Sequence, residues 1–281
     1  MIESEQSKED CVISNCEIRK EQMMLKSLVV AFSTYSKIPM PHVEWDEKSM
    51  KYSMCWFPFV GVVIGLASTG CFYGLSLLSV GHILRAVILT VLPVLISGGI
   101  HMDGFLDTID ARSSYRSMEE RLHILKDPHT GAFATIYGMV YMLLCVGLFS
   151  EITGEQIAFV AVGYVYSRSL SGLSVVTFRR AKKDGMLASS AKASDKSVKW
   201  ILLAELLFCM AVMLIMGIMT ESMEGIAYAL GCIAAGLVSF FYYWHMAYKW
   251  FGGTTGDLAG YFLQICEGML LFVLVAVKYL V

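Results

Sequence analysis

GGIHMDGFLDTIDARSS, Gly98 to Ser114, sets three carboxylates at the end of an apolar segment. The run before it, Ile83 to Ser97, has a make-up suited to lipid. Asp103, Asp107 and Asp110 then fall within eight residues. Their spacing of i, i+4, i+7 puts all three on one face of a helix. Like charges so placed repel by roughly a few tenths of a kcal/mol per pair in water, and by more at the lower dielectric beside a membrane. Something positive should compensate. Magnesium is the natural cation, since it binds to a few carboxylates plus waters and substrate phosphates. Two such ions about 4 Å apart would bridge a diphosphate. The plainer alternative is a solvated face whose aspartates pair with Arg112 and Arg116. His101 reads either as a substrate contact or as a structural hydrogen-bonding group.

The rest of the chain makes the setting a membrane. Of 281 residues, 56% are hydrophobic and only 16% are charged, against about 25% charged in soluble domains. The first 22 residues differ, with nine charges among them. They form neither a basic n-region nor an apolar core, so no cleavable signal peptide is expected. This gives a polar tail over 1–22 and an integral membrane domain over 23–281. The net charge of −2 gives nucleic acid no foothold. Six of the eight cysteines lie in apolar runs and read as small buried hydrophobes. Cys11 and Cys16 sit in the tail, and no disulfide framework is implied.

A helix that crosses the bilayer needs about 20 mostly apolar residues. Seven segments qualify: Met54–Val80, Ile83–Ser97, Ala132–Ser150, Gln156–Phe178, Trp200–Met219, Gly225–Tyr248 and Gly260–Leu280. The second is short. Residues 23–38 are apolar but interrupted by polar side chains, which suits an amphipathic helix lying in the interface. The fold class is therefore an all-α polytopic membrane protein with about seven transmembrane helices and one interfacial helix. Loop 179–199 carries seven Lys or Arg and loop 99–131 carries four, while loops 151–155 and 220–224 carry none. Cytoplasmic loops are rich in Lys and Arg. The pattern alternates without a reversal, with the N-terminus inside and the C-terminus outside. It puts the aspartate loop, the basic loop and "GGTTGD" (252–257) on the cytoplasmic side, where they can meet.

Other features join this picture. Gly98-Gly99-x3-Asp103 and Gly252-Gly253-x3-Asp257 share a pattern, each after a span running inward, so Asp257 is a second acidic candidate. Chance explains such an echo more readily than a repeat. Glycine turns free backbone N–H groups for phosphate oxygens. "SMEERLHILKD" opens with Ser117 and Glu120, a capping box, and its helix should end at Asp127 before Pro128. Gly131 either admits close backbone approach or simply starts the next helix. Arg168, Glu205 and Glu267 lie inside spans, where ionisable groups are costly and default to functional hypotheses. Arg168 either binds substrate or pairs with a carboxylate to hold helices together. Arg179 and Arg180, nearest the membrane in the basic loop, are candidate phosphate contacts because guanidinium grips phosphate bidentately. The same loop also suits anionic lipid.

These stretches resemble a known family. "GGIHMDGFLDTIDA" followed by "KDPHTGAFA" is similar to the signature of the adenosylcobinamide-GDP ribazoletransferases, also called cobalamin synthases. "AFSTYSKIPMP" (31–41), "FPFVGVVIG" (57–65) and "GGTTGDLAGYFLQICE" (252–267) resemble three further blocks, so the likeness runs over roughly residues 25–280. This chain departs from the family at Ala111, where glycine is usual. It departs again at Asp127-Pro128-His129, where Asp-Ser-Arg is usual, and in lacking a proline near Arg179. The resemblance implies joining adenosylcobinamide-GDP to α-ribazole, or its 5′-phosphate, with release of GMP and with magnesium as cofactor. It implies Asp103, Asp107 and Asp110 as metal ligands, with Asp257 close by and one carboxylate taking the hydroxyl proton. Arg168, Arg179 or Arg180 would neutralise the diphosphate, and Gly252 and Gly253, like Gly98 and Gly99, would leave room for a bulky substrate. The partners implied are corrinoid nucleotide, α-ribazole and membrane lipid, with a homo-oligomer allowed and the active site facing the cytoplasm from the inner membrane. A CDP-alcohol phosphotransferase is the nearest rival, but Gly131 has no Asp-x3-Asp after it. A transporter would keep its ionisable groups near the midplane, and here the acidic clusters lie at an edge.

Overall fold

The computed structural model describes residues 22–181 and 192–280, the side chain of residue 48 excepted. Helix α1 covers 22–35. After it come α2 (Glu47–Met50), α3 (Ser53–Leu77), α4 (His82–Ser97), α5 (Ile100–Ser113), α6 (Met118–Ile124), α7 (Ala132–Glu151), α8 (Gln156–Thr177), α9 (Val198–Met219), α10 (Met223–Phe251) and α11 (Gly256–Leu280). Among the described residues the only bridge between extended segments is Arg180 with Thr254, in parallel. Residues 182–191 of the basic loop, and Cys11 and Cys16, lie outside the described residues.

Six helices, α3 and α7 to α11, are long and apolar enough to cross a membrane. The expected second span behaves differently. Helix α4 has 16 residues, about 24 Å at 1.5 Å per residue, short of a roughly 30 Å hydrocarbon core. It passes the same test only together with α5, from which it is bent by 95°. We read α4 as the membrane arm and α5 as turned across the end of the bundle, outside the spans. The expected first span to Val80 stops at Leu77, because Ser79 adopts a positive φ of 55°. Helix α6 ends at Ile124 rather than Asp127.

Helix α8 is the centre of the bundle. It is the least apolar of the six and the most buried, with Ser167, Arg168, Ser169, Ser171 and Ser174 all enclosed. Helix α3 lies along it with Gly61 and Gly65 at the contact, a small-residue crossing of the kind membrane helices use. Helices α7 and α9 are peripheral and expose Leu143, Leu144, Phe208 and Ile218. Apolar surface on that scale suits lipid contact.

The loops sort to two ends as the charge alternation predicts. At one end Lys51 pairs with Asp195 at 2.9 Å, and the 179–181 segment pairs with Thr254. At the other, Tyr73 donates to the Gly154 carbonyl and Lys278 pairs with Glu151 at 3.1 Å. Helix α1 is not free in the interface along its whole girth. Ser27, Val30 and Ala31 are buried, Leu25 faces outward, the Tyr35 ring lies 4.3 Å from Phe57, and the Lys37 N–H donates to the Ile96 carbonyl at 2.8 Å.

Candidate active site

The site begins at the bend between α4 and α5. Gly98 and Gly99 have φ of 67° and 79°, the left-handed region that glycine enters without steric cost. Their N–H groups donate to the Leu95 and Val94 carbonyls and close α4, as such caps do. Helix α5 then buries His101, Gly104, Phe105, Thr108, Ile109 and Ala111. Asp103 stays exposed, and Asp107 and Asp110 are half-buried. One side of α5 therefore packs while the other carries the carboxylates, as the spacing predicts. Ala111 falls among the packing residues.

Asp257 arrives from the second glycine pair. Gly252, at φ 72°, closes α10. The Thr254 N–H donates to the Arg179 carbonyl at 2.8 Å, and its own carbonyl accepts from Ala181 at 3.0 Å. A Cβ on Gly253 would lie 2.4 Å from the Arg179 oxygen, so this glycine admits another strand of backbone. The Thr255 hydroxyl accepts from the Leu258 N–H and starts α11. Helix α11 then crosses α5 at two glycines. A Cβ on Gly104 would meet the Asp257 carbonyl oxygen at 2.6 Å, and one on Gly260 would meet the His101 carbonyl oxygen at 3.1 Å.

This crossing gathers negative charge. Partial burial, and the charges of Asp103, Asp257 and Asp110, push the Asp107 carboxyl up to about 7. Among the described residues no Lys or Arg forms an ion pair with Asp103, Asp107 or Asp110. The alternative of a solvated face paired with Arg112 and Arg116 is therefore not what forms. Arg116 pairs with Glu120. Arg112 donates to the Tyr242 and Tyr261 hydroxyls at 2.6 Å each and lies over the Trp250 ring.

The three aspartates are not alike. Asp110 accepts N–H bonds from Gly131 and Ala134, the latter at 2.9 Å. It caps α7, where the helix dipole favours negative charge. A Cβ on Gly131 would sit 2.6 Å from both Asp110 carboxylate oxygens, so Gly131 is a seat for Asp110. Asp127 accepts from the His129 N–H at 3.0 Å and faces its ring nitrogen, which keeps the departing "DPH" stretch folded on itself. The capping box of Ser117 with Glu120 is present as expected.

Arg179 and Arg180 are exposed at the same end as Asp257, tied to its loop by the parallel bridge. Arg179 Nε donates to the Gly252 carbonyl at 2.9 Å. Two other candidates lie deeper. Arg168 donates to Glu267 Oε1 at 2.7 Å and to the Tyr164 carbonyl at 2.9 Å, and it is only 1% exposed. Of its two readings, the structure holds the helix-pairing one. His101 is buried with its ring against Tyr35 and Phe57, and its Nε2 has no partner among the described residues.

The carboxylates are hard oxygen ligands, and among the described residues Asp103, Asp107 and Asp110 form no ion pair with a Lys or Arg. Among the described residues no three His, Cys, Asp or Glu side chains lie close enough to cage an ion. Magnesium usually keeps several waters and takes one or two carboxylates plus substrate phosphates. The donors thus fit an ion shared with a phosphorylated substrate.

Fold and site together define a polytopic helical membrane protein with an acidic site, flanked by arginines, at one end of its bundle. The family model for cobalamin-5-phosphate synthase matches residues 27–275. The chain belongs to that family. It is 49% identical over 245 residues to the adenosylcobinamide-GDP ribazoletransferase of Lachnoclostridium phytofermentans, covering 87% of this chain and 91% of the relative. It is 31% identical over 248 residues to the enzyme of that name from Clostridium perfringens strain 13, covering 88% and 96%. It is 28% identical over 261 residues to that from Treponema denticola. No solved structure matches the chain.

Proposed function

We propose that this protein is an adenosylcobinamide-GDP ribazoletransferase acting at the cytoplasmic face of the inner membrane. It joins adenosylcobinamide-GDP to α-ribazole, or its 5′-phosphate, and releases GMP. The observation that carries this is the crossing of α5 and α11, where the Asp257 backbone packs on Gly104 and the Asp257 charge acts on the Asp107 carboxyl. In the reaction a ribose hydroxyl oxygen bonds to the corrinoid-side phosphorus. The phosphorus–oxygen bond to GMP breaks, and GMP leaves with the electron pair. Such transfers depend on positioning and charge neutralisation.

Asp107, whose carboxyl feels the charges of Asp103, Asp257 and Asp110, and Asp257 would hold a magnesium ion. When bound, that ion offsets the diphosphate charge and favours departure of GMP. Asp103, the exposed member, takes the hydroxyl proton. Arg179 and Arg180 approach the diphosphate from the 252–257 side. Asp110 holds α5 against the start of α7 and keeps the carboxylate face in place.

The test is purified protein in detergent with adenosylcobinamide-GDP, α-ribazole and magnesium. GMP should appear, and should depend on both substrates. Intact protein that yields no GMP would contradict the assignment. Sidedness is checked in cells, in a variant with Cys11 and Cys16 replaced by serine. An impermeant thiol reagent should label Ser222→Cys and spare Lys196→Cys.

A further inference from the structure

The block "AFSTYSKIPMP" borders an opening beside the α4–α5 bend. Where the end of α1 meets the α4–α5 bend there is a cleft of about 560 Å³. Ser33, Thr34, Lys37, Met102, Asp103 and Leu106 are among its walls. Ligand sites for small molecules run from roughly 300 to 1,000 Å³. A nucleoside phosphate is of a size for such a space.

The walls differ in chemistry. Met102 and Leu106 give an apolar side for a planar base. Ser33 and Thr34 give hydroxyls within reach of a sugar. Lys37 gives a cation at the rim. It is exposed, makes no ion pair among the described residues, and is tethered through its N–H to Ile96. Its stem lies over Gly98, where a Cβ would come within 2.5 Å of its Cγ and Cε. The bend glycine thus makes the groove in which this lysine rests. Asp103, exposed, is part of the same lining.

We propose that this cleft is the acceptor subsite. It takes a nucleoside 5′-phosphate, α-ribazole 5′-phosphate, with the Lys37 ammonium on the phosphate and the reacting hydroxyl beside Asp103. The proposal rests on the ribazoletransferase reading. Two nucleotides in that reaction have the right size, the acceptor and the guanosine of the donor. The position of Asp103 favours the acceptor, because the group that takes a proton must stand next to the hydroxyl that loses it. In-line transfer sends the leaving group to the side of the phosphorus opposite the attacking hydroxyl, away from the acceptor.

The test compares wild type with Lys37→Ala, Lys37→Arg and Ser33→Trp, measuring kcat/KM for α-ribazole and for its 5′-phosphate, and KM for adenosylcobinamide-GDP. Lys37→Ala should lower the preference for the phosphorylated acceptor about tenfold, roughly 1.4 kcal/mol, and Lys37→Arg should restore most of it. Ser33→Trp should raise KM for both acceptors about tenfold and leave the donor KM within about twofold. Equal losses on both acceptors in Lys37→Ala, or a raised donor KM in Ser33→Trp, would overturn the proposal, the second by placing guanosine in the cleft. An inactive wild type sinks the transferase reading and this proposal with it. An active wild type with unmoved variants sinks the proposal alone.

Discussion

Two loops in this protein share one sequence pattern and do different work with it. Gly98-Gly99 and Gly252-Gly253 each close a helix with a left-handed glycine, and each leads to an aspartate in the first turn of the next helix. Asp103 follows directly from Gly99, the cap of α5, whereas the bridged Thr254 stands between Gly253 and the helix that carries Asp257. The first loop turns the chain by 95° and gives the space over its glycine to a side chain, Lys37. The second gives its space to backbone, the 179–181 segment. One loop opens a cleft and the other anchors a strand of arginines. The shared pattern places an aspartate in the first turn of the next helix, and leaves to the neighbours what the glycines admit.

Four experiments break or sharpen that comparison. If both loops serve one site, Asp103→Asn, Asp107→Asn and Asp257→Asn should each lower kcat/KM by at least about 10²-fold, as losing one charge-stabilising group commonly does. Near-normal turnover in Asp257→Asn alone would reduce the second loop to a structural tie. Gly104→Ala comes next, since its Cβ meets the Asp257 backbone. Overpacking of this kind costs about 1–3 kcal/mol, read as a lower melting temperature together with reduced activity. An unchanged protein would mean the two helices do not cross there.

Asp110→Ala should behave unlike its neighbours. Loss of a helix cap costs roughly 0.5–2 kcal/mol, so melting temperature should fall while activity drops far less than in Asp107→Asn. Equal losses of activity would return Asp110 to the metal. The smallest effect concerns pH. Without a cation, the stability tied to neutral Asp107 is lost as pH rises through about 7. Magnesium competes with that proton. The gain in melting temperature from magnesium should therefore be larger at pH 8 than at pH 6, and Asp107→Asn should flatten the difference.

Much of the architecture was open to reading from sequence. Apolar runs marked the spans to within a few residues, because lipid demands long unbroken helices. Lys and Arg counts sorted the loops to the two ends seen here. The i, i+4, i+7 spacing gave the carboxylate face of α5. The partners of that face were not legible. Asp110 differs from Asp103 only because α7 begins at its side, and no local pattern announces a contact 21 residues away. Gly104 reads as an ordinary helix glycine until Asp257 is placed against it. Arg168 had two readings, and only the position of Glu267 on a distant helix separates them. Sequence alone allows Arg112 as a counter-charge to the aspartates, whereas Trp250, Tyr242 and Tyr261 gather around it. The sharp α4–α5 turn was hidden because two left-handed glycines look like any polar loop start.

The central claim is that the two loops build a single cation site. Manganese in place of magnesium gives a direct reading, by electron paramagnetic resonance titration of the purified protein with adenosylcobinamide-GDP bound. Asp107→Asn, on the first helix, and Asp257→Asn, on the second, should each weaken manganese binding by about tenfold or more. An Asp257→Asn protein that binds manganese as wild type does, while Asp107→Asn does not, would contradict it.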